Sequence, residues 1–265
     1  MPIAPLPVAW RSAICVLLVL LALPAAVGSS APAADELLGE AAARYGRGDL
    51  KGARERYLEA LGTGPGRFTA LHRLARVESE LATDASGEDS RGLAAAAVEH
   101  AREAVKISPD SAAGHLELAV ALGRAALKAG PKTRLSLSRE IKSEVDRALA
   151  IDPTLGRGWH VLAVWNRKLS SLSFLERAVA NTVLGGVPKG ASMENAATCL
   201  EKAVELEPEY LNHHLELGRT YLELKRRDEA RRELERAVAL PATSAPLDPK
   251  YQAEARELLA KIKKG

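Results

Sequence analysis

Five times along this chain an apolar residue, a second one four positions on and an alanine three further are followed by a proline. The copies are Ala53, Tyr57, Ala60 and Pro65; Ala97, Ala101, Ala104 and Pro109; Ile141, Val145, Ala148 and Pro153; Ala196, Leu200, Ala203 and Pro208; and Ala230, Leu234, Ala237 and Pro241, where the proline comes one residue early. Steps of four and three put the three side chains on one face of a helix. Proline cannot continue that helix and biases the residue before it away from the α region, so each copy is a helix with a built-in stop. Ahead of each copy lies a second apolar stretch centred on a small residue: Ala41, Leu74-Ala75, Leu118-Ala119, Leu162-Ala163 and Leu217-Gly218. The pairing predicts five helical hairpins. A single hairpin cannot bury such a face, so the hairpins must stack, and the expected fold is an all-α solenoid.

The last copy is the most complete. Leu217-Gly218, Tyr221, Ala230, Leu234, Ala237 and Pro241 follow the tetratricopeptide pattern. In it the small residues let two antiparallel helices approach closely while Leu217, Tyr221 and Leu234 fill the space between them. Ala41 precedes Ala53 by 12 residues and Gly218 precedes Ala230 by 12, but Ala75 to Ala97 and Ala119 to Ile141 are each 22, and Ala163 to Ala196 is 33. Three hairpins are therefore lengthened. In the fourth, the extra segment Leu169 to Pro188 carries Leu172, Leu175, Val179 and Val183 at helical spacing before Gly185-Gly186. It is either a long first helix with a packed extra turn or a helix that roofs or edges the groove. After Pro241, Asp248 and Pro249 open a final helix whose stripe of Tyr251, Ala255, Leu258, Leu259 and Ile262 would cap the array.

Trp159-His-Val-Leu-Ala-Val-Trp165, then Leu172-Ser-Phe-Leu-Glu-Arg-Ala-Val-Ala-Asn-Thr-Val-Leu-Gly-Gly-Val-Pro188, then the alanine-rich second helix, resembles the regulator of microtubule dynamics family. The resemblance runs from about Leu93 to Ile262. It implies a divergent tetratricopeptide domain, and it allows a lipid ligand, since lipid binding is associated with this type of domain. It does not bring a microtubule role with it, because the amino terminus points to a compartment without microtubules.

That amino terminus has Arg11 as its only charge, an apolar core from Ala13 to Leu23 and small residues from Ala25 onward. The core falls short of the ~20 apolar residues of a spanning helix. A cleaved secretory signal ending between Val27 and Asp35 is expected, with an uncleaved anchor as the alternative. The organisation read from the chain is a signal and linker over 1–33, the repeats over 34–241, and a linker with capping helix over 242–265. The expected location is periplasmic or secreted, with peripheral membrane association open. Cys199 is the one cysteine beyond the signal, so no internal disulfide is available to the mature chain.

Charge is nearly balanced, 37 basic against 34 acidic residues. In the last hairpin Arg219, Lys225, Arg226, Arg227, Arg231, Arg232 and Arg236 face Glu209, Glu216, Glu223, Asp228, Glu229, Glu233 and Glu235. That is an ion-paired surface, not a phosphate-binding stripe, and no nucleic acid partner is expected. The six histidines form no metal-binding motif, no nucleophile has a base at motif spacing, and Gly62-Thr-Gly-Pro-Gly66 follows a helix and holds a proline, as a connecting loop does. Neither an enzyme, a cofactor nor a metal is expected.

What remains is the concave face, lined by first helices. Counting from the small residues places Tyr45, His72, Arg76, Leu116, Val120, His160, Val164, Arg167, Leu215, Arg219 and Leu222 toward it. Arginine offers a planar donor fork for a carboxylate or phosphate, and the apolar members suit a peptide stripe or an acyl chain. The expected function is a protein-interaction module that docks a partner segment in the groove; the alternative is a carrier of an anionic lipid or amphiphile.

Overall fold

The computed structural model describes residues 34–62, 66–183, 186–242 and 245–264. Among them the five expected hairpins are present: α1 (Ala34–Gly46) with α2 (Leu50–Leu61), α3 (Arg67–Asp84) with α4 (Gly87–Ile107), α5 (Ala112–Lys128) with α6 (Pro131–Ile151), α7 (Gly156–Ser170) with α9 (Met193–Leu206), and α10 (Leu211–Glu223) with α11 (Arg227–Ala239). A short α8 (Phe174–Val183) is inserted in the fourth, and α12 (Asp248–Lys264) closes the array. Each second helix carries the next hairpin: α2 packs on α3, α4 on α5, α6 on α7, α9 on α10 and α11 on α12. The result is an α-solenoid. Residues 1–33, where the sequence led to the expectation of an export signal, together with Pro65, Gly185 and the side chains of Leu175, Val179 and Val183, lie outside the described residues.

The repeated small residues do what close packing requires. Ala41, Ala53, Ala75, Ala97, Ala119, Ala163, Ala196, Ala230 and Ala237 are fully buried. At Gly218 an added methyl would sit 2.7 Å from Leu234 Cγ, nearer than any real contact allows, so this crossing of α10 and α11 needs glycine. The described prolines of the repeat pattern lie where the second helices end: α4 stops before Pro109, α6 before Pro153, α9 before Pro208 and α11 before Pro241.

A second periodic device accompanies these stops. Six residues after the proline, a ring nitrogen from the first turn of the next helix meets the proline carbonyl: His115 Nε2 on Pro109 at 2.8 Å, Trp159 Nε1 on Pro153 at 2.9 Å and His214 Nε2 on Pro208 at 2.9 Å. The carbonyl of each stop would otherwise lack a helical partner. His115 and His214 also reach Glu144 and Glu233 through Nδ1, at 2.6 and 2.7 Å, tying first helix to second.

The lengthening has two forms. In the second and third hairpins the helices are simply longer, with 18 and 21 residues in α3 and α4 and 17 and 21 in α5 and α6. In the fourth, α7 ends at Ser170 and α8 is a separate helix, so the expectation of one long first helix does not hold. Arg177 of α8 donates to the carbonyls of Leu169, Ser170 and Leu172, capping α7, and the Glu176 carboxylate feels Arg134 near the start of α6. This places α8 at the hairpin tips beside α6 and α7, with Phe174 88% exposed. The capping helix is as expected: Tyr251, Ala255, Leu258, Leu259 and Ile262 pack on Leu211, Leu215, Leu234, Ala237 and Leu240.

Candidate functional site

The row of first helices curls strongly. Lys250, in the first turn of α12, reaches Asp84 at the end of α3 at 2.7 Å, 166 residues away in sequence. Tyr251 beside it faces Arg124 of α5, and burial pushes its phenol up to about 12. The concave side shared by α1, α3, α5, α7 and α12 is a polar cleft.

Its lining is a chain of paired groups. The Tyr45 hydroxyl donates to Glu80 Oε1 at 2.7 Å, and the Arg76 guanidinium stacks over the Tyr45 ring at 5.1 Å while reaching Glu80. Burial raises both the Tyr45 phenol and the Glu80 carboxyl. Arg157 donates to Glu117 Oε1 at 2.8 Å from α7 to α5. Burial works against the Arg157 charge, and the Glu117 carboxylate together with Tyr210 and Tyr45 overcomes it, holding the guanidinium above its ordinary range. Tyr210, ahead of α10, lies within the field of Arg157, Arg76 and Glu80, and burial raises its phenol.

Deeper in α7 and α10 sits a histidine pair. His160 Nδ1 lies 2.9 Å from His213 Nδ1, and His213 Nε2 lies 3.2 Å from Glu207 Oε2. Tyr210 packs edge-on against His213, ring centroids 4.6 Å apart. Glu207 is held in turn by the Arg157 backbone N–H at 3.2 Å, in the first turn of α7. An added methyl on Gly156 would stand 2.7 Å from the Glu207 side chain, so a glycine is needed there for the carboxylate to reach α7. Beyond His160, Arg167 donates to Glu216 and, at 3.1 Å, to Glu223, while Arg219 bridges Glu216 and Glu254.

Of the residues placed in the groove by counting, Tyr45, Arg76 and His160 stand in this cleft. Val120 and Val164 are half-buried on the same face of α5 and α7. His72 stacks on Phe68, 4.8 Å between centroids, with Nδ1 on the Phe68 carbonyl. Leu116 and Leu215 are 2% and 0% exposed, so they belong to the inter-hairpin core and not to a ligand surface. The −3 position counted from the small residue is core at Leu116 and Leu215 but only half-buried at His72 and His160. Arg167 is buried and ion-paired, and Arg219 is committed to two glutamates, so neither is a free cation for a ligand; Leu222 packs against the last core clusters. Counting missed Glu80, Glu117, Arg124, Arg157, Tyr210 and Tyr251. Glu80 and Arg124 were legible: each stands five residues after its small residue, one helical turn beyond Arg76 and Val120 on the same face.

A family model described as regulator of microtubule dynamics protein 1-3 matches residues 34–263. The chain belongs to that family. It is 29% identical over 191 residues to regulator of microtubule dynamics protein 1 of Caenorhabditis elegans, covering 72% of this chain and 84% of that protein. It is 34% identical over 191 residues to regulator of microtubule dynamics protein 3 of Rattus norvegicus, covering 71% of this chain but 40% of the rat protein. Among solved structures, a thermophilic TPR protein of Thermus thermophilus superposes with a TM-score of 0.65 at 20% identity, over 88% of this chain and all of that one. At that identity the likeness establishes the tetratricopeptide fold.

Proposed function

We propose that this protein is a non-enzymatic adaptor whose concave cleft receives a segment of a partner protein. The observation that carries the reading is the convergence of Arg76, Arg124, Arg157, Tyr45, Tyr210 and His160 from separate hairpins onto one cleft. Repeat positions that could have been filled with apolar packing instead hold oriented donors and acceptors, flanked by half-buried Val120 and Val164. Such a lining suits an extended chain, whose backbone offers hydrogen bonds at every residue and whose side chains can be selected by pockets between helices. The apolar run from Ala13 to Leu23 supports action outside the cytoplasm.

A photo-crosslinking amino acid at Val120 or Val164, in the full chain expressed in its host, should trap a protein partner, while the same group at Arg102 on the outer face should not. Equal trapping from both faces, or recovery of lipid and no protein from the inner face, would contradict the adaptor reading.

A further inference from the structure

The histidine pair sets a direction for its protons. Glu207 is held below the ordinary carboxylate range: burial opposes this, and the hydrogen bond from His213 outweighs it only together with the His213 ring, the Arg157 backbone N–H and the Arg157 charge. His213 Nε2 must therefore carry a proton to donate to Glu207. Burial pushes His213 down, so its ring is neutral and Nδ1 is bare. The 2.9 Å contact then has His160 Nδ1–H as donor and His213 Nδ1 as acceptor. Burial, with His213, Arg157, Arg167 and Arg124 around it, holds His160 far below the imidazole range, so it too is neutral, and its Nε2 is left with a lone pair. Among the described residues no partner faces that nitrogen, and it is not among the buried polar atoms cut off from solvent. Arg124 is likewise without a carboxylate in ion-pair range among the described residues and meets the Tyr251 phenol instead.

Two other uses of this geometry fail on charge. A metal between the two Nδ1 atoms would add a cation to a spot already facing three guanidiniums. General-base catalysis asks for an imidazole near the working pH, and His160 is pushed well away from it. An acceptor for binding is what the arrangement leaves.

We propose that Glu207, His213 and His160 form a relay that presents His160 Nε2 as a fixed hydrogen-bond acceptor beside Arg124, a seat for an acidic peptide segment. The His160 lone pair takes a main-chain N–H of the segment, and the Arg124 fork takes a neighbouring carboxylate. Val120, one turn before Arg124 on α5, and Val164, one turn after His160 on α7, contact the apolar side chain between them. This inference rests on the adaptor reading and names the partner's chemistry. Glu207 and His213 act as positioning residues: they hold the tautomer and do not touch the segment.

The test has two parts. Nitrogen-15 spectra of ring-labelled protein should show His160 protonated on Nδ1 and bare on Nε2, with His213 the reverse; the opposite pattern overturns the relay. A fluorescein-labelled peptide of alternating leucine and glutamate, titrated by anisotropy into the full chain, should bind, and its leucine-glutamine counterpart should not. His160→Phe, which keeps a ring but removes the acceptor, and Arg124→Gln should each weaken binding about ten-fold. Val120→Glu, which sets an internal carboxylate one turn from Arg124, should do the same with the guanidinium still present. Glu207→Gln, whose amide can donate or accept, should blur the tautomer spectrum and weaken binding together. Circular dichroism of each variant reports the fold. Equal binding of both peptides, no binding of either, or binding indifferent to His160 and Arg124 in folded variants overturns the inference. Crosslinking from Val120 and Val164 judges the adaptor reading independently of either peptide, so the two failures are distinguishable.

Discussion

Gly218 and Leu234 allow the hairpin's packing logic to be tested in energy units. An alanine methyl at 218 would stand 2.7 and 2.8 Å from Leu234 Cγ and Cδ2, while the Ala230 carbonyl oxygen, at 3.4 Å, would be in ordinary contact. Overpacking of this kind costs about 1–3 kcal/mol. Alanine in place of glycine inside a helix returns about 1 kcal/mol. Gly218→Ala should therefore destabilise by about 0–2 kcal/mol. Leu234 is fully buried, and Leu234→Ala should cost about 2–5 kcal/mol through lost burial and the cavity it leaves. In the Leu234→Ala background the clash is gone, so adding Gly218→Ala should stabilise by about 1–2 kcal/mol, from helix propensity and one buried methyl. The cycle predicts a coupling of about 1–4 kcal/mol, measurable by urea unfolding followed by far-ultraviolet circular dichroism. Additivity within about 0.5 kcal/mol would refute the claim that close approach is what selects glycine here.

Two further outcomes follow from the same contacts. Because the folded state holds His160 and His213 below their ordinary values, the unfolded chain binds more protons as pH falls. Stability should be full above the ordinary imidazole value of ~6.5 and decline as pH drops below it; urea midpoints between neutral and mildly acid pH should show that slope, and His160→Phe should flatten it. A slope of opposite sign would mean the pair is charged in the folded protein. Removing residues 247–265 uncovers Leu211, Leu215 and Leu234 on the last hairpin, so the truncated chain should self-associate in light scattering, whereas a folded monomer would show that α12 is not a cap.

How far the sequence reached is clearest at particular residues. The prolines at 109, 153, 208 and 241 and the alanines before them mark helix ends and buried faces because both follow from backbone geometry and from one helix's periodicity. Leu116 and Leu215 were misplaced for the converse reason. A helix's own phase says which residues share a face, not whether the next hairpin covers it. The cleft shows the same gap: Arg157 and Glu117 are 40 residues apart and His160 and His213 are 53 apart, and the stacking of successive hairpins brings them together. One periodic signal was available and would have helped. The residues six past Pro109, Pro153 and Pro208 are all ring N–H donors, which marks the start of each following helix. The insertion was ambiguous because Ser171, Leu172 and Ser173 separate two helices with neither a proline nor a glycine among them.

The central claim is that the cleft formed by the first helices is where a partner segment docks. Hydrogen exchange of the full chain, with and without the segment trapped from Val120 or Val164, reads this directly. Docking in the cleft predicts new protection in α3, α5, α7 and the start of α12, and none in α4, α6 and α9. New protection confined to the outer helices, or to α8 at the hairpin tips, would contradict it.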